Sequence, residues 1–360
     1  MLDIIRREIE RSPHFAINYE QYMNLVLYHP EKGYYNREQQ KIGRNGDFYT
    51  SSSLSDLFGM VWANWFYESI KRNDLKPIIC EIGAGNGSFA KSMLEELKKT
   101  HPDFYHEVEY LIIEASPYHR GKITDCLRNE PVSIFSSIEE CQSKVPDFCG
   151  VIFCNELLDA LPVRVVEQSK SMLYEMVVTL NERSKLSEKK VVCKDENVIS
   201  WIEKYVGRLN QGQRIEIPLK MTEWLLNLYG WIKQAVIVFV DYGYTRSQWK
   251  EPILQSGSLR GYMAHQMISD PILYPGEMDL TSHVHWDAVK MIGREHGANC
   301  KMFQSQGMFL LENGILNHLQ ETINTDPFSK EHKQNRAIRS LVLSSMADQF
   351  QVMIQKKTVT

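Results

Sequence analysis

The sequence predicts an α/β fold in which a mostly parallel sheet carries helices on both faces. From residue 76 onward, short apolar segments alternate with segments of helical periodicity. The first apolar segment, PIICEIG, runs directly into a glycine-rich turn and then into a helix, SFAKSMLEELKKT. Alternation of this kind is typical of parallel sheets, because each parallel strand needs a crossover connection.

Residues 1–75 are predicted to form an N-terminal helical cap and a long loop. Apolar residues recur at helical spacing in MLDIIRREIERS, INYEQYMNLVLYHP and SLSDLFGMVWANWFYESIKR. Between the second and third of these segments, Gly33, Gly43 and Gly46 indicate turns rather than a regular element. The aromatic residues of the third segment are expected to serve the packing of the cap helix, rather than to stack on nucleic-acid bases.

The sheet is predicted to come from residues 76–162 and 232–360. The first part adds the strands EVEYLIIEASP, PVSIFSS and FCGVIFCNELLDALP and the helix YHRGKITDCLRNE. The second part supplies the strand WIKQAVIVFVDYGY and, near the end of the chain, a helix and a strand in RAIRSLVLSSMADQFQVMIQKK. Residues 163–231 are an inserted segment with the strands VRVVEQ, MLYEMVVTL and QRIEIPL and a charged hairpin or loop, NERSKLSEKKVVCKDE.

Composition excludes several classes of function. The 360 residues are 43% hydrophobic and 24% charged, as in an ordinary globular protein. A net charge of -4 gives no general attraction to nucleic acid or to anionic membranes. The seven cysteines include no CxxC pair, and no apolar run is long enough to cross a bilayer. Because the N-terminus has neither a signal-peptide nor a transit-peptide pattern, a cytoplasmic protein is predicted.

The segment EIGAGNGSFA stands where an open α/β sheet binds ligands, at the carboxyl end of a strand. Its glycines, Gly83, Gly85 and Gly87, let the backbone approach a ligand, and the following helix offers free N–H groups. A nucleoside triphosphate loop would need GxxxxGK[ST], and a dinucleotide fingerprint would need a glycine or alanine in place of Ser88. The remaining pattern resembles motif I of Rossmann-like S-adenosylmethionine methyltransferases, in which Glu81 would face the ligand's ammonium group. A glycine-rich turn without a ligand is the alternative.

Glu114 ends the second predicted strand. A carboxylate at this point can accept hydrogen bonds from both ribose hydroxyls of a nucleoside. The four preceding residues are of buried-strand types, so that the core does not explain the acid. The alternative is a surface acid at a strand end.

Three polar residues, Asn155, Glu156 and Asp159, follow another strand in VIFCNELLDALPV. They are expected at the ligand-facing edge of the sheet. Carboxylates at this edge suit an amine or guanidinium acceptor, because they bind the cation and receive the proton lost on methyl transfer. Glu156 and Asp159 are the acids predicted for this role. The alternatives are that Asp159 caps a following helix or that Glu156 is merely exposed.

Two further features allow more than one interpretation. His283 and His285 lie two residues apart on a predicted strand, which would place them on one face. No cysteine or third histidine stands at matching spacing, so hydrogen-bonded histidines are favoured and no metal is predicted. In VDYGY, which begins at Val240, the residues after Asp241 either bring a tyrosine near the acceptor or simply end a strand.

The motifs together resemble the MidA-like methyltransferase family, which includes the mitochondrial complex I assembly-factor methyltransferase, a protein arginine methyltransferase. The resemblance spans nearly the whole chain. It is carried, in the family's order, by YEQYMNLVLYHPEKGYY, GDFYTSS followed by Phe58-Gly59, EIGAGNGSF, NELLDALPVRVV, VDYGY, GSLRGYMAH and PGEMDLTSHV.

The resemblance implies a Rossmann-like class I S-adenosylmethionine-dependent methyltransferase core with an N-terminal helical cap and an inserted α+β segment. It implies methyl transfer to a protein side chain, with arginine nitrogen as the first expectation. The cofactor would be held by Glu81, Gly83, Gly85, Gly87, Glu114 and Asn155, with Gly46 and Phe48 closing over it. Asp47 would join Glu156 and Asp159 at the transfer site. The acceptor side would be lined by Arg260, Tyr262, His265 and His283, with Asp279.

The chain departs from the family pattern in two of these motifs. The family's Thr-Ser-Pro-Glu reads TSSS at residues 50–53, and its His-Val-Asp reads HVH at residues 283–285. If the missing loop acid binds the guanidinium in relatives, the acceptor here is not arginine. Two other functions therefore stay open: an S-adenosylmethionine-binding assembly factor with little catalysis, and a methyltransferase acting on nitrogen or oxygen of a small molecule.

Overall fold

The computed structural model describes residues 1–37, 56–322, 326 and 329–358. The N-terminal elements are α1 (Leu2–Arg11), β1 (Ala16–Asn18), α2 (Tyr19–Tyr28) and α3 (Asp56–Arg72). Helix α2 begins with a capping box, in which the side chain of Asn18 accepts from the N–H of Gln21 and the side chain of Gln21 accepts from the N–H of Asn18. The helix predicted from Ile17 therefore begins at Tyr19, and the residues before it form a strand.

The first part of the central sheet follows the predicted alternation. Its elements are β2 (Ile78–Ile82), α4 (Ser88–Thr100), α5 (Pro102–Glu107), β3 (Glu109–Ile113), α6 (Pro117–Cys126), β4 (Val132–Phe135), α7 (Ile138–Lys144) and β5 (Phe148–Asn155). The four strands are parallel. Every residue of β2 is buried, as expected for a central strand with helices on both faces. The sequence did not predict α5 and α7, which are only six and seven residues long.

The inserted segment forms an antiparallel sheet and two helices. Its elements are β6 (Arg164–Ser169), β7 (Met172–Leu180), β8 (Leu186–Val192), α8 (Glu196–Trp201), β9 (Arg214–Ile217) and α9 (Leu219–Trp231). The strand order is β1-β7-β6-β9, and β8 also pairs with β7. The charged segment thus forms a hairpin, and β1 joins the N-terminal residues to the insertion. The division of the chain at residues 75, 162 and 231 stays a prediction.

The remaining elements complete the central sheet and add a small sheet beside it. They are β10 (Ile232–Tyr244), β11 (Arg260–Met263), β12 (Gln266–Ile268), β13 (Asp279–Thr281), β14 (Val284–His285), α10 (Trp286–Glu295), β15 (Ala298–Ser305), α11 (Gln306–Glu312), α12 (Lys330–Leu343), α13 (Ser345–Gln349) and β16 (Phe350–Lys357). The small sheet is antiparallel, with the order β12-β11-β13.

The central sheet has the order β15-β16-β10-β5-β2-β3-β4. β16 is antiparallel to β10 and to β15, whereas β10 is parallel to β5. The chain moves outward from β2 to β3 and β4, and then returns to the other side of β2 as β5. Strand order therefore reverses between β2 and β5, and open α/β sheets bind ligands at such a reversal.

Both faces of the central sheet are covered by apolar side chains. In β5, Ile152 and Cys154 belong to one buried cluster, whereas Val151 and Phe153 belong to the other. Trp62 of α3 is fully buried, and its ring stacks on Phe309 with centroids 4.3 Å apart. The ring centroid of Trp62 also lies 5.0 Å from that of Phe153 in β5, so the aromatic residues of α3 pack the helix onto the sheet.

Candidate active site

A cavity of about 900 Å³ opens at the carboxyl ends of the central strands. Its volume falls in the range of ligand-binding pockets. Of the predicted site residues that the structure describes, all except Gly87 line the cavity. The predicted residues in its wall are Glu81, Gly83, Gly85, Glu114, Asn155, Glu156, Asp159, Arg260, Tyr262, His265, Asp279 and His283. Gly46, Asp47 and Phe48, together with residues 50–53, lie outside the described residues.

The glycine loop after β2 needs glycine on conformational grounds. Gly83, Gly85 and Gly87 have φ of 80°, 57° and 79°, in the left-handed region that side chains disfavour. A Cβ on Gly83 would also lie 3.0 Å from Cδ1 of Leu157. The loop therefore keeps its backbone close to the residues that follow β5.

Glu114 holds the glycine loop from the tip of β3. Its carboxylate accepts hydrogen bonds from the N–H of Gly85 at 3.0 Å and from the N–H of Ser116 at 2.8 Å. A carboxylate offers about four lone-pair sites, so these two bonds leave capacity for further donors. Because Glu114 lines the cavity, hydroxyl donors of a ligand can use that capacity.

Glu81 is a buried acid in the wall of the cavity. The hydroxyl of Tyr110 donates to it at 2.7 Å. Burial raises the pKa of Glu81 to about 7, and the charge of Glu114 acts in the same direction. The bond from Tyr110 opposes the shift. A cation bound nearby would favour the ionised carboxylate.

Asp159 is a buried acid with one unpaired oxygen. The hydroxyl of Tyr242 donates to Oδ2, whereas Oδ1 has no hydrogen-bond partner among the described residues. Burial raises the pKa of Asp159 to about 6, against the hydrogen bonds that it accepts. The next regular element is β6, so the alternative in which Asp159 caps a helix is wrong.

Glu156 directly follows β5 in an uncommon backbone conformation. Its φ is 49°, and its N–H donates to the carbonyl oxygen of Val240 at 2.9 Å. Nδ2 of Asn155 donates to Oε1 of Glu156 at 3.2 Å. Non-glycine residues in the left-handed region cost free energy and are concentrated at functional sites. The strained turn brings both predicted acids, Glu156 and Asp159, to the cavity.

Arg260 and His283 contact each other on the acceptor side. Nη2 of Arg260 lies 2.9 Å from Nδ1 and 3.1 Å from Nε2 of His283. Burial, together with the charge of Arg260, lowers the pKa of His283 to about 3, so the imidazole is neutral. His285 instead stacks on Trp249 and lies 2.9 Å from the carbonyl oxygen of Glu216. The two histidines thus have separate hydrogen-bonded environments.

Two tyrosines from the N-terminal segment also line the cavity, and the sequence did not single them out. The hydroxyl of Tyr28 donates to the carbonyl oxygen of Ala160 at 2.8 Å, and the hydroxyl of Tyr35 donates to Oδ1 of Asp279 at 2.7 Å. Both lie within the segment YEQYMNLVLYHPEKGYY, whose family resemblance is the signal that could have suggested a role.

Comparison with known proteins identifies the family. The sequence model of a family described as S-adenosyl-L-methionine-dependent methyltransferases matches residues 61–304. The chain belongs to this family. Its cofactor is therefore S-adenosylmethionine, and the Rossmann-like fold predicted from the sequence is confirmed.

Individual relatives agree with this assignment. The chain is 25% identical over 333 residues to the mitochondrial protein arginine methyltransferase NDUFAF7 of Xenopus laevis, covering 83% of this chain and 71% of that one. It is 35% identical over 336 residues to the NDUFAF7 of Bos taurus, covering 83% and 70%. A Burkholderia thailandensis crystal structure bound to S-adenosyl-homocysteine superposes with a TM-score of 0.87 and 25% identity, covering 100% of this chain and 92% of that one.

The described residues fit the family's cofactor. Gly83 and Gly85 of the glycine loop line the cavity, Glu114 keeps free lone pairs, and Glu81 is a buried acid that a cation would stabilise. When bound, S-adenosylmethionine supplies a methyl group on a positively charged sulfur.

The predicted cytoplasmic location is contradicted by the relatives. Those from Xenopus laevis, Drosophila melanogaster and Mus musculus are all named mitochondrial proteins. The pattern of the first residues was therefore no guide to the compartment. Among the described residues, no helix has the length and apolar character needed to span a membrane.

Proposed function

We propose that the chain methylates a guanidinium nitrogen of an arginine side chain in a protein substrate. The observation that carries this proposal is the group of carboxylates that lines the acceptor end of the cavity: Glu156, Asp279 and the buried Asp159. Carboxylates in the wall of a cavity favour a ligand that brings N–H donors. A guanidinium brings five such donors and a positive charge.

The charges around the acceptor end also support a cationic substrate. Three carboxylates line the cavity there, those of Glu156, Asp159 and Asp279. The guanidinium of Arg260 lines it as well and carries a positive charge. His283 adds no charge, because its lowered pKa keeps it neutral. Arginine is preferred to lysine because the curated relatives are named protein arginine methyltransferases. Carboxylates also bind the planar guanidinium through paired hydrogen bonds, which fixes its orientation.

Each acid has a distinct task in this mechanism. Glu156 and Asp159 orient the guanidinium so that one nitrogen faces the methyl group, since displacement requires alignment. The nitrogen loses a proton as it gains the methyl group, and the carboxylate of Asp159 accepts that proton. The raised pKa of Asp159 makes its carboxylate a stronger base than an ordinary aspartate.

The remaining predicted residues complete this proposal. The cofactor end is formed by Glu81, Gly83, Gly85, Glu114 and Asn155, and Gly87 shapes the glycine loop behind it. The acceptor end is lined by Arg260, Tyr262, His265 and His283.

Radiolabel transfer tests the proposal. The chain is incubated with S-adenosylmethionine labelled in the methyl group and with a protein extract, and the protein fraction is then hydrolysed for amino-acid analysis. Label should appear in methylarginine with the wild type and should be lost with Asp159→Asn. Label in methyllysine or only in small molecules would contradict an arginine acceptor. Cofactor binding without any transfer would favour the assembly-factor alternative.

A further inference from the structure

Asp241, near the carboxyl end of β10, has a buried carboxylate that binds backbone N–H groups. Only 1% of the residue is exposed. Oδ2 accepts from the N–H of Leu158 at 3.0 Å and from the N–H of Asp159 at 3.3 Å, and Oδ1 accepts from the N–H of Tyr242 at 2.9 Å. The carboxylate therefore ties β10 to the turn that follows β5. An apolar side chain would leave these buried donors unsatisfied.

The next residue, Tyr242, binds the same turn through a side chain. Its hydroxyl donates to Oδ2 of Asp159, 83 positions away in the sequence. Asp159 is thus held twice: Asp241 accepts from its backbone N–H, and Tyr242 occupies one of its carboxylate oxygens. Oδ1 has no hydrogen-bond partner among the described residues and is itself buried.

We propose that Asp241 and Tyr242 are positioning residues, which together fix the turn after β5 and hold the carboxylate of Asp159 at the acceptor end of the cavity. This inference rests on the proposed role of Asp159. It gives the motif VDYGY a function: one residue orients the backbone of Asp159, and the following residue orients its carboxylate.

The hydroxyl of Tyr242 should also set the titration of Asp159. A donor to a carboxylate stabilises the ionised form, so the bond from Tyr242 holds the pKa of Asp159 below the value that burial alone would give. Among the described titratable groups, Asp241 on β10 and Tyr28 and Tyr35 from the N-terminal segment interact electrostatically with Asp159. Glu156 acts on Asp241, and Asp279 on β13 acts on the two tyrosines. Tyr242→Phe leaves all of these in place.

Carbon-13 NMR of protein labelled at the aspartate carboxyl carbons measures this titration without cofactor or acceptor. The resonance of Asp159 is the one lost in Asp159→Asn. It should titrate near pH 6 in the wild type and roughly one pH unit higher in Tyr242→Phe, as expected for the loss of a charged hydrogen bond. Tyr244→Phe is the matched control, because the hydroxyl of Tyr244 makes no hydrogen bond that the described residues show. An unchanged midpoint in Tyr242→Phe would overturn the proposal.

Asp241→Asn tests the role of the hydrogen bonds that the carboxylate of Asp241 accepts from backbone N–H groups. An amide cannot accept from all three N–H groups, since its NH₂ faces one of them. We expect kcat to fall roughly 10- to 100-fold while the Kd for S-adenosylmethionine stays within about two-fold of the wild type, since the loss concerns the transfer step. Unchanged kcat in the folded variant would refute the role of Asp241. If this variant does not fold, the titration of Tyr242→Phe decides alone. A failure to find methylarginine would instead contradict the proposed function and leave the titration result standing.

Discussion

The backbone N–H of Gly85 donates a hydrogen bond to the carboxylate of Glu114 over 3.0 Å. This bond joins the loop after β2 to the tip of β3, so two features that the sequence suggested separately form one unit. The carboxylate also accepts from the N–H of Ser116, whose hydroxyl donates to the carbonyl oxygen of Tyr35 at 2.7 Å. The side chain of Tyr35 binds Asp279 at the other end of the cavity. The cofactor end and the acceptor end are thus connected through Tyr35.

Gly83→Ala should weaken cofactor binding. Alanine at a φ of 80° is strained by roughly 1–2 kcal/mol, and its Cβ would lie 3.0 Å from Leu157. We expect the Kd for S-adenosylmethionine, measured by calorimetry, to rise at least about ten-fold, together with a lower melting temperature. Gly121→Ala is the control, because Gly121 lies in α6 with open space around it and should be slightly stabilised by alanine. Wild-type affinity in Gly83→Ala would argue against a ligand at this loop.

Because of Glu81, the free energy of unfolding of the cofactor-free protein should fall as pH rises. Its pKa in the folded chain is about 7, above the ordinary value of 4.5. The folded state therefore keeps a proton that the unfolded state loses. The contribution of Glu81 to the free energy of unfolding is fully present below about pH 4.5, and it is lost as pH rises through about 7. The free energy of unfolding of Glu81→Gln, relative to the wild type, should increase by roughly 1–3 kcal/mol between about pH 5 and pH 8.

Urea unfolding at both pH values measures the effect, with the exposed Glu107→Gln as the control. An equal change in the free energy of unfolding of Glu107→Gln would contradict the burial argument. A decrease with pH in the free energy of unfolding of Glu81→Gln, relative to the wild type, would contradict it as well. In the wild type, S-adenosylmethionine should also bind more tightly as pH rises through about 7, because the ionised carboxylate can pair with the ammonium group.

Tyr35→Phe should affect the acceptor and not the cofactor. The change removes the hydroxyl that donates to Asp279, while the backbone bond to Ser116 remains. We expect the KM for the protein acceptor to rise roughly three- to ten-fold, with the Kd for S-adenosylmethionine within about two-fold of the wild type. Tyr105→Phe is the matched control, since the hydroxyl of Tyr105 donates to Glu130 away from the cavity. Equal effects of the two changes would assign Tyr35 a general structural role.

The sequence predicted the central sheet because its signals are local. Strands β2, β3 and β5 are each a short apolar run, and glycines or acids at their ends mark the edge of the sheet that binds ligands. The prediction failed at β1, where the residues Ala16–Asn18 become a strand by pairing with Thr179, Val178 and Val177 of β7. That partner lies far away in the sequence, so local periodicity could not reveal it.

The acids of the site could be predicted, but not the contacts that hold them. Asp159 is fixed by Asp241 and Tyr242, about eighty positions later, and Tyr35 contacts Asp279 across 244 positions. Neither contact leaves a pattern in the local sequence.

The central claim is that the cavity has a cofactor end at Glu114 and an acceptor end at Asp159. Calorimetric titration with S-adenosylmethionine tests it most directly on the wild type, Glu114→Gln and Asp159→Asn. Glu114→Gln replaces one acceptor oxygen by NH₂ and should weaken binding roughly 10- to 100-fold, or about 1–3 kcal/mol. Asp159→Asn should bind the cofactor within about two-fold of the wild type while losing methyl transfer. Equal weakening by the two changes, or no binding by the folded wild type, would contradict this division of the cavity.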